Sequence, residues 1–116
     1  MGLFSRNKGK RAELAFSKLC REHGYDTRRG QQYCGVNGDA DVVGLSGIHI
    51  EVKAVEHLNI HDAIAQSVRD AKTDEIPIVA HKKNHTEWLI TLRAEDFFAL
   101  YREWEASMGG KLYGKI

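Results

Sequence analysis

Two carboxylates and an ammonium stand close together in the stretch Gly38–Lys53. Asp41 directly precedes the apolar pair Val42-Val43. After nine intervening residues come Glu51, Val52 and Lys53. Strand side chains alternate between faces, so Glu51 and Lys53 share one face while Ile48, Ile50 and Val52 take the other. If the two apolar runs form a hairpin, the loop length decides whether Asp41 joins Glu51. A two-residue turn at Ser46-Gly47 pairs Leu45 with Ile48 and turns Asp41 away from Glu51. A three-residue loop, Leu45-Ser46-Gly47, pairs Gly44 with Ile48 and puts Gly47 where such loops favour a left-handed residue. That register sets Asp41 directly opposite Glu51, and it is the one we expect. Acids and an amine gathered in this way suit a hard metal ion and a phosphodiester.

The pattern resembles the core of the PD-(D/E)XK nucleases, an aspartate followed by E-x-K on an apolar strand. The usual proline before the aspartate is Ala40 here, and Asp39 is a rival for the ligand role. Asp41 is favoured because it sits immediately before Val42-Val43. The same residues could also make a cross-strand salt bridge at a sheet edge, worth at most about 1 kcal/mol when exposed.

A second run weighs against that plainer reading. Arg6-Asn7-Lys8-Gly9-Lys10-Arg11-Ala12-Glu13, followed by Leu14 and Leu19, resembles the opening helix of archaeal-type Holliday-junction resolvases within the same superfamily. The pattern there is a basic residue, Lys-Gly, three residues, then a glutamate that helps to bind metal. Lys8, Gly9 and Glu13 match it position for position. The resemblance implies a metal set of Glu13, Asp41, Glu51 and the Val52 carbonyl, with Mg²⁺ as the ion and Mn²⁺ able to replace it. It implies Glu13, Asp41, Glu51 and Lys53 as catalytic residues, and Gln66 as a helix residue approaching the site. It also implies branched DNA, a four-way junction, as substrate and a homodimer as the working unit, because two sites must nick opposing strands of a nearly two-fold junction. A general or nicking endonuclease, and a nucleic-acid-binding module without the reaction, are the alternatives. The small size fits a bacteriophage-encoded enzyme. The resemblance spans roughly Arg6 to Leu92.

The charge distribution adds a DNA-facing surface. The net charge of +1 argues nothing by itself. However, Arg6, Lys8, Lys10 and Arg11 precede any acid, and Arg28, Arg29, Lys82 and Lys83 form later basic clusters. The acids gather at Asp70–Glu75 and Glu95–Glu105. Such asymmetry suggests a basic face for a polyanion, although a solvated surface with chance clusters would look similar.

The elements that must position these residues follow from periodicity. The 116 residues form one domain with room for a single core. Ser5 or Asn7 caps a first helix running to about His23, with Gly24 as its stop. Ala12, Ala15, Phe16, Leu19 and Cys20 make its buried stripe and leave Glu13 at the edge. A strand, Tyr25–Arg29, precedes a polar glycine-bearing loop, Gly30–Gly38. Tyr33 in that loop is placed to stack on a base or to pack on its own loop. After the hairpin, Asn59 caps a helix carrying Ile60, Ile64, Ser67, Val68 and Ala71 on one face, with Gln66 well away from it. Ile76–His81 and Trp88–Leu92 are strands. Ala94–Trp104 is a closing helix whose aromatic residues belong mostly to the core, with any excess available for a subunit contact. Residues 105–116 read as a loose tail.

The expected fold is therefore α/β, a restriction-endonuclease-like α-β-β-β-α-β core with a mixed central sheet flanked by helices. His49 shares the Glu51 face and reads as a structural strand histidine, with substrate contact as the alternative. His57 and His61 lack the glutamate of a zinc-protease motif and read as surface residues. Cys20 and Cys34 give neither a disulfide framework nor zinc spacing, and no run is apolar enough to span a membrane. The first residues have no apolar h-region. A cytoplasmic setting is expected, that of a bacterial host cell if the chain is phage-encoded.

Overall fold

A computed structural model describes residues 2–30 and 40–109, with side chains described from Asn7 onward. The first helix, α1 (Gly2–Glu22), begins upstream of the expected caps. Ser5 and Asn7 lie inside it, because nothing between Gly2 and Asn7 breaks a helix and a serine need not act as a cap. It ends as expected, in a Schellman motif. The Gly24 amide donates to the Arg21 carbonyl at 3.0 Å and the Tyr25 amide to the Cys20 carbonyl at 3.1 Å. Phe16 and Cys20 are buried from this helix, and Ala12 and Leu19 pack beside them. Ala15 is exposed, whereas Ser17 is fully buried. The buried Ser17 hydroxyl is satisfied by Thr27 Oγ1 at 3.1 Å and by Arg21 Nη1 at 2.8 Å. These bonds tie α1 to the segment entering the sheet.

Five strands follow in spatial order as in sequence: β1 (Arg28–Arg29), β2 (Val42–Val43), β3 (Ile48–Ala54), β4 (Ile76–Lys82) and β5 (Leu89–Leu92). Only β3 and β4 run parallel, and the remaining pairs are antiparallel. The sheet is mixed, as expected, and β1 is shorter than the sequence suggested. The parallel pair is joined by α2 (Ile60–Asp70), which Asn59 caps by accepting the Asp62 amide at 3.1 Å. Such a crossover is what parallel strands require.

Alternation along β3 separates two layers. Ile50 and Val52 join Phe16, Cys20, Val42, Ile78 and Ala80 in the core beneath α1, where the Phe16 ring lies 5.1 Å from that of Trp88. His49 and Glu51 point to the opposite face, toward α2, where the Ser67 hydroxyl donates to the Ile78 carbonyl at 2.9 Å. Helices thus cover both faces.

The last helix, α3 (Ala94–Met108), departs from expectation twice. It continues through Met108 to Gly109, because no residue before that glycine disfavours helix, so 105–108 are not loose tail. Residues 110–116 lie outside the described part. It also buries none of its residues. Phe97, Phe98, Leu100, Tyr101 and Trp104 are exposed rather than core. α3 follows edge strand β5, and its aromatic stripe is exposed among the described residues.

Candidate active site

The hairpin turn settles the position of the first acid. Val42 pairs with Ile50, so the register is that of the three-residue loop and Asp41 lies beside Glu51. Gly47 has φ +81° and no atom near a Cβ position, so its need for glycine is conformational. Asp41 is fixed through its backbone as well. Its carbonyl accepts the Gly30 amide at 2.8 Å and its amide donates to the Ile50 carbonyl at 2.9 Å. A Cβ on Gly30 would sit 2.0 Å from the Ala40 carbonyl oxygen, so only glycine lets β1 approach this closely.

Two further carboxylates share the cleft with Asp41. Glu51 is 3% exposed. Glu13 reaches in from α1, its Oε1 accepting the Arg29 Nε–H at 2.6 Å. Glu13, Asp41, Glu51, Lys53, Lys8 and Gln66 line one cleft of about 440 Å³ at the C-terminal end of β3, and Val52 forms part of its wall. The Val52 amide donates to Asp41 Oδ2 at 2.8 Å.

The electrostatics of this cleft are those of a cation site. Burial pushes the Asp41 carboxyl up to about 7, and the adjacent Glu51 charge adds to the rise. The Val52 N–H opposes it, while the Glu13 charge and a hydrogen bond shared with Glu51 push further upward. Carboxylates crowded away from water disfavour each other's ionisation, and a divalent cation reverses that penalty. Oxygen donors from several acids at one point are a donor set for a hard ion such as Mg²⁺ or Mn²⁺. Glu13, Asp41 and Glu51 line this cleft together, whereas among the described residues the group whose ligand-type atoms lie within 4.8 Å of one another is His49, Glu51 and Asp70.

A second group of polar residues lies on the other side of Glu51. His49 is 3% exposed, and its Nε2 lies 2.8 Å from Glu51 Oε2. Its Nδ1 lies 3.7 Å from Glu75 Oε1. His49, Glu51 and Asp70 present ligand-type atoms within 4.8 Å of one another. Burial lowers the His49 pKa, but the hydrogen bond and charge of Glu51, helped by Glu75 and Asp70, outweigh this and raise it. A separate cleft of about 490 Å³ opens at this end of β3, beside His49, Asp70 and Glu75.

The expected DNA-contacting residues fall in different places. Lys8 and Gln66 line the acidic cleft, Gln66 despite lying away from the apolar stripe of α2. Lys10, Arg11 and Arg28 are exposed, as is Lys83 beyond β4. Arg29 is engaged with Glu13, and Lys82 Nζ lies over the Trp88 ring, 5.7 Å from its centroid. The Arg6 side chain, Tyr33, Asp39 and the loop between Gly30 and Ala40 lie outside the described residues. His57 and His61 are exposed, as expected. The residues that sequence reasoning missed are Arg29 as the partner of Glu13, and Glu75 and Asp70 as neighbours of His49. No short-range spacing pointed to either group, because each spans separate elements.

No protein-family model and no curated protein matches the chain. Among solved structures it is similar to Hjc of Archaeoglobus fulgidus, a Holliday junction resolvase from an archaeal hyperthermophile. The two share 24% identity over 73% of this chain and 72% of that chain, with a TM-score of 0.55. The likeness is one of fold, the α/β arrangement of a mixed sheet between helices.

Proposed function

We propose that the chain is a metal-dependent, structure-selective DNA endonuclease, with a four-way junction as its substrate. The observation that carries this reading is the meeting of Glu13, Asp41 and Glu51 with Lys53 in one cleft. These acids come from α1, from the residue before β2 and from β3, and are distant in sequence. Glu13, Asp41, Glu51 and the Val52 carbonyl would hold Mg²⁺, with Mn²⁺ able to replace it. Bound there, the ion supplies a water of lowered pKa and neutralises charge on the scissile phosphate.

The remaining work falls to the chain. Hydrolysis forms a bond from water oxygen to phosphorus and breaks one phosphodiester P–O bond, and negative charge gathers on the non-bridging oxygens. The Lys53 ammonium, on the cleft wall beside Glu51, offsets that charge. Lys8 and Gln66 contact the DNA backbone at the rim. Arg29 holds Glu13 toward the site. Lys10, Arg11, Arg28 and Lys83 provide the outer basic surface, so recognition is of backbone and shape, without base reading. The similarity to a resolvase, a fold likeness only, favours a junction over plain duplex.

A junction needs two sites, and the exposed stripe on α3 is where a second copy of this chain fits. Phe97 stacks on Tyr101 with centroids 6.1 Å apart, and Tyr101 meets Trp104 at 5.5 Å, giving a continuous aromatic face. Phe97 is 48% exposed, Phe98 50%, Tyr101 39% and Trp104 50%. Aromatic side chains carry ~150–250 Å² each, so roughly 400 Å² of aromatic surface faces water. Leu100 on the same helix adds to it, which gives about half of the ~800 Å² per partner of a standard interface.

The test is incubation of a labelled four-way junction and a matched plain duplex with and without Mg²⁺. Paired symmetric nicks in the junction alone support the reading. Equal cutting of both substrates supports a general nuclease. Binding without cutting, in Mg²⁺ and Mn²⁺ alike, supports a binding module.

A further inference from the structure

The buried histidine behind the cleft has no role in the reading so far. His49 sits two residues before Glu51 on the same face of β3 and is 97% enclosed. Both of its ring nitrogens face carboxylates, Glu51 at 2.8 Å and Glu75 at 3.7 Å. The Nε2–H tautomer of the imidazole donates to Glu51 Oε2. Asp70, at the end of α2, stands within the same 4.8 Å group. The C-terminus of a helix also favours a cation. Glu75, on the connection entering β4, thus supports His49, and His49 supports Glu51.

The arrangement matters because a glutamate carboxylate rotates freely about its last torsion. Mg²⁺ demands near-ideal octahedral ligand placement, and ligating carboxylates are usually fixed by hydrogen bonds from outside the coordination shell. Oε2 of Glu51 is anchored on the His49 side. That fixes the carboxylate plane and directs the group toward Asp41, with which it shares a hydrogen bond.

Resting on the nuclease reading, we propose that His49 is a positioning residue. Together with Glu75 it forms a buried brace that holds Glu51 in its metal-binding orientation, so the cleft at the N-terminal end of β3 supports the site at the other end.

The experiment titrates Mn²⁺ into DNA-free protein by calorimetry and runs thermal melts in parallel. Wild type is compared with His49→Met, which fills the space without a donor, His49→Gln, which keeps an N–H, and Glu75→Gln. The expected result is 10–100-fold weaker Mn²⁺ binding for His49→Met, with His49→Gln recovering most of it. Glu75→Gln should be weakened about three-fold. Cleavage by His49→Met should recover at high Mg²⁺, since the brace sets metal affinity more than the chemical step. A folded His49→Met with wild-type Mn²⁺ affinity overturns the proposal. If that variant does not fold, wild-type affinity in Glu75→Gln overturns the proposal, and weakening in Glu75→Gln supports it. Wild type that binds no Mn²⁺ removes the nuclease reading itself, whereas normal metal-dependent cleavage with unaffected brace variants removes only this inference.

Discussion

Asp41 Oδ2 accepts the Val52 amide at 2.8 Å, so the first acid is tied to the strand that carries the second. That hydrogen bond holds the Asp41 carboxylate beside Glu51. The site is thus built with like charges already together, at a cost that burial and the neighbouring acids record in the raised Asp41 pKa.

That cost gives a pH signature. The Asp41 carboxyl is raised from an ordinary 3.8 to about 7 in the folded protein. Between these values the folded state holds a proton that the unfolded state has lost, so stability falls as pH rises through this window. Metal-free protein should melt at progressively lower temperature from about pH 4 to pH 7. Asp41→Asn should flatten this slope and melt higher than wild type at pH 8. Apparent Mg²⁺ affinity should move the opposite way and strengthen up to about pH 7–8, because the cation must displace the Asp41 proton. Thermal melts across pH for both proteins check the first point, and metal titrations at pH 6 and pH 8 check the second.

The Glu13–Arg29 pair is partly shielded, with side chains 12% and 33% exposed. It lies between the weak surface and costly buried limits, so Arg29→Ala should destabilise by about 1–2 kcal/mol. Cleavage should fall as well, since Glu13 loses the contact that holds it. A double-mutant cycle with Glu13→Gln should show coupling in both stability and rate. Additive effects would mean that the pair is incidental.

Much of this site was legible in the sequence, for identifiable reasons. The spacing of Gly47 in the loop fixed a hairpin register, and with it the meeting of Asp41 and Glu51. The mixed sheet and the Asn59 cap followed from alternation and capping chemistry. Arg29 was legible as a basic residue but not as the partner of Glu13, because a contact between separate elements has no local signature. Likewise, nothing near His49 in sequence announces Glu75. The α3 residues misled for a different reason. An apolar stripe specifies that something is covered, and periodicity does not say whether the cover is the same chain.

The α3 stripe yields a prediction of its own. Phe97→Glu with Trp104→Glu should convert a dimer to monomer in sedimentation or light scattering, with little loss of monomer stability, since neither side chain is buried. The double variant should lose paired nicking of a junction while still making single nicks. A wild-type monomer at micromolar concentration would dismiss the interface.

The outer basic residues should act through phosphates. Replacing Lys10, Arg11 and Lys83, all exposed, should weaken binding to junction and duplex alike. Each removed contact should reduce the slope of log K against log salt by about 0.9. Filter binding or fluorescence anisotropy at several salt concentrations measures this, and an unchanged slope would place the DNA elsewhere.

The most direct test is the single-turnover cleavage rate of a labelled four-way junction as a function of Mg²⁺, for wild type, Asp41→Asn and Glu51→Gln. The account predicts saturable metal dependence in wild type and a loss of at least about a hundred-fold in each variant, with DNA binding retained. Cleavage by folded Asp41→Asn and Glu51→Gln at the wild-type rate, or wild-type cleavage undiminished by chelator, would contradict it.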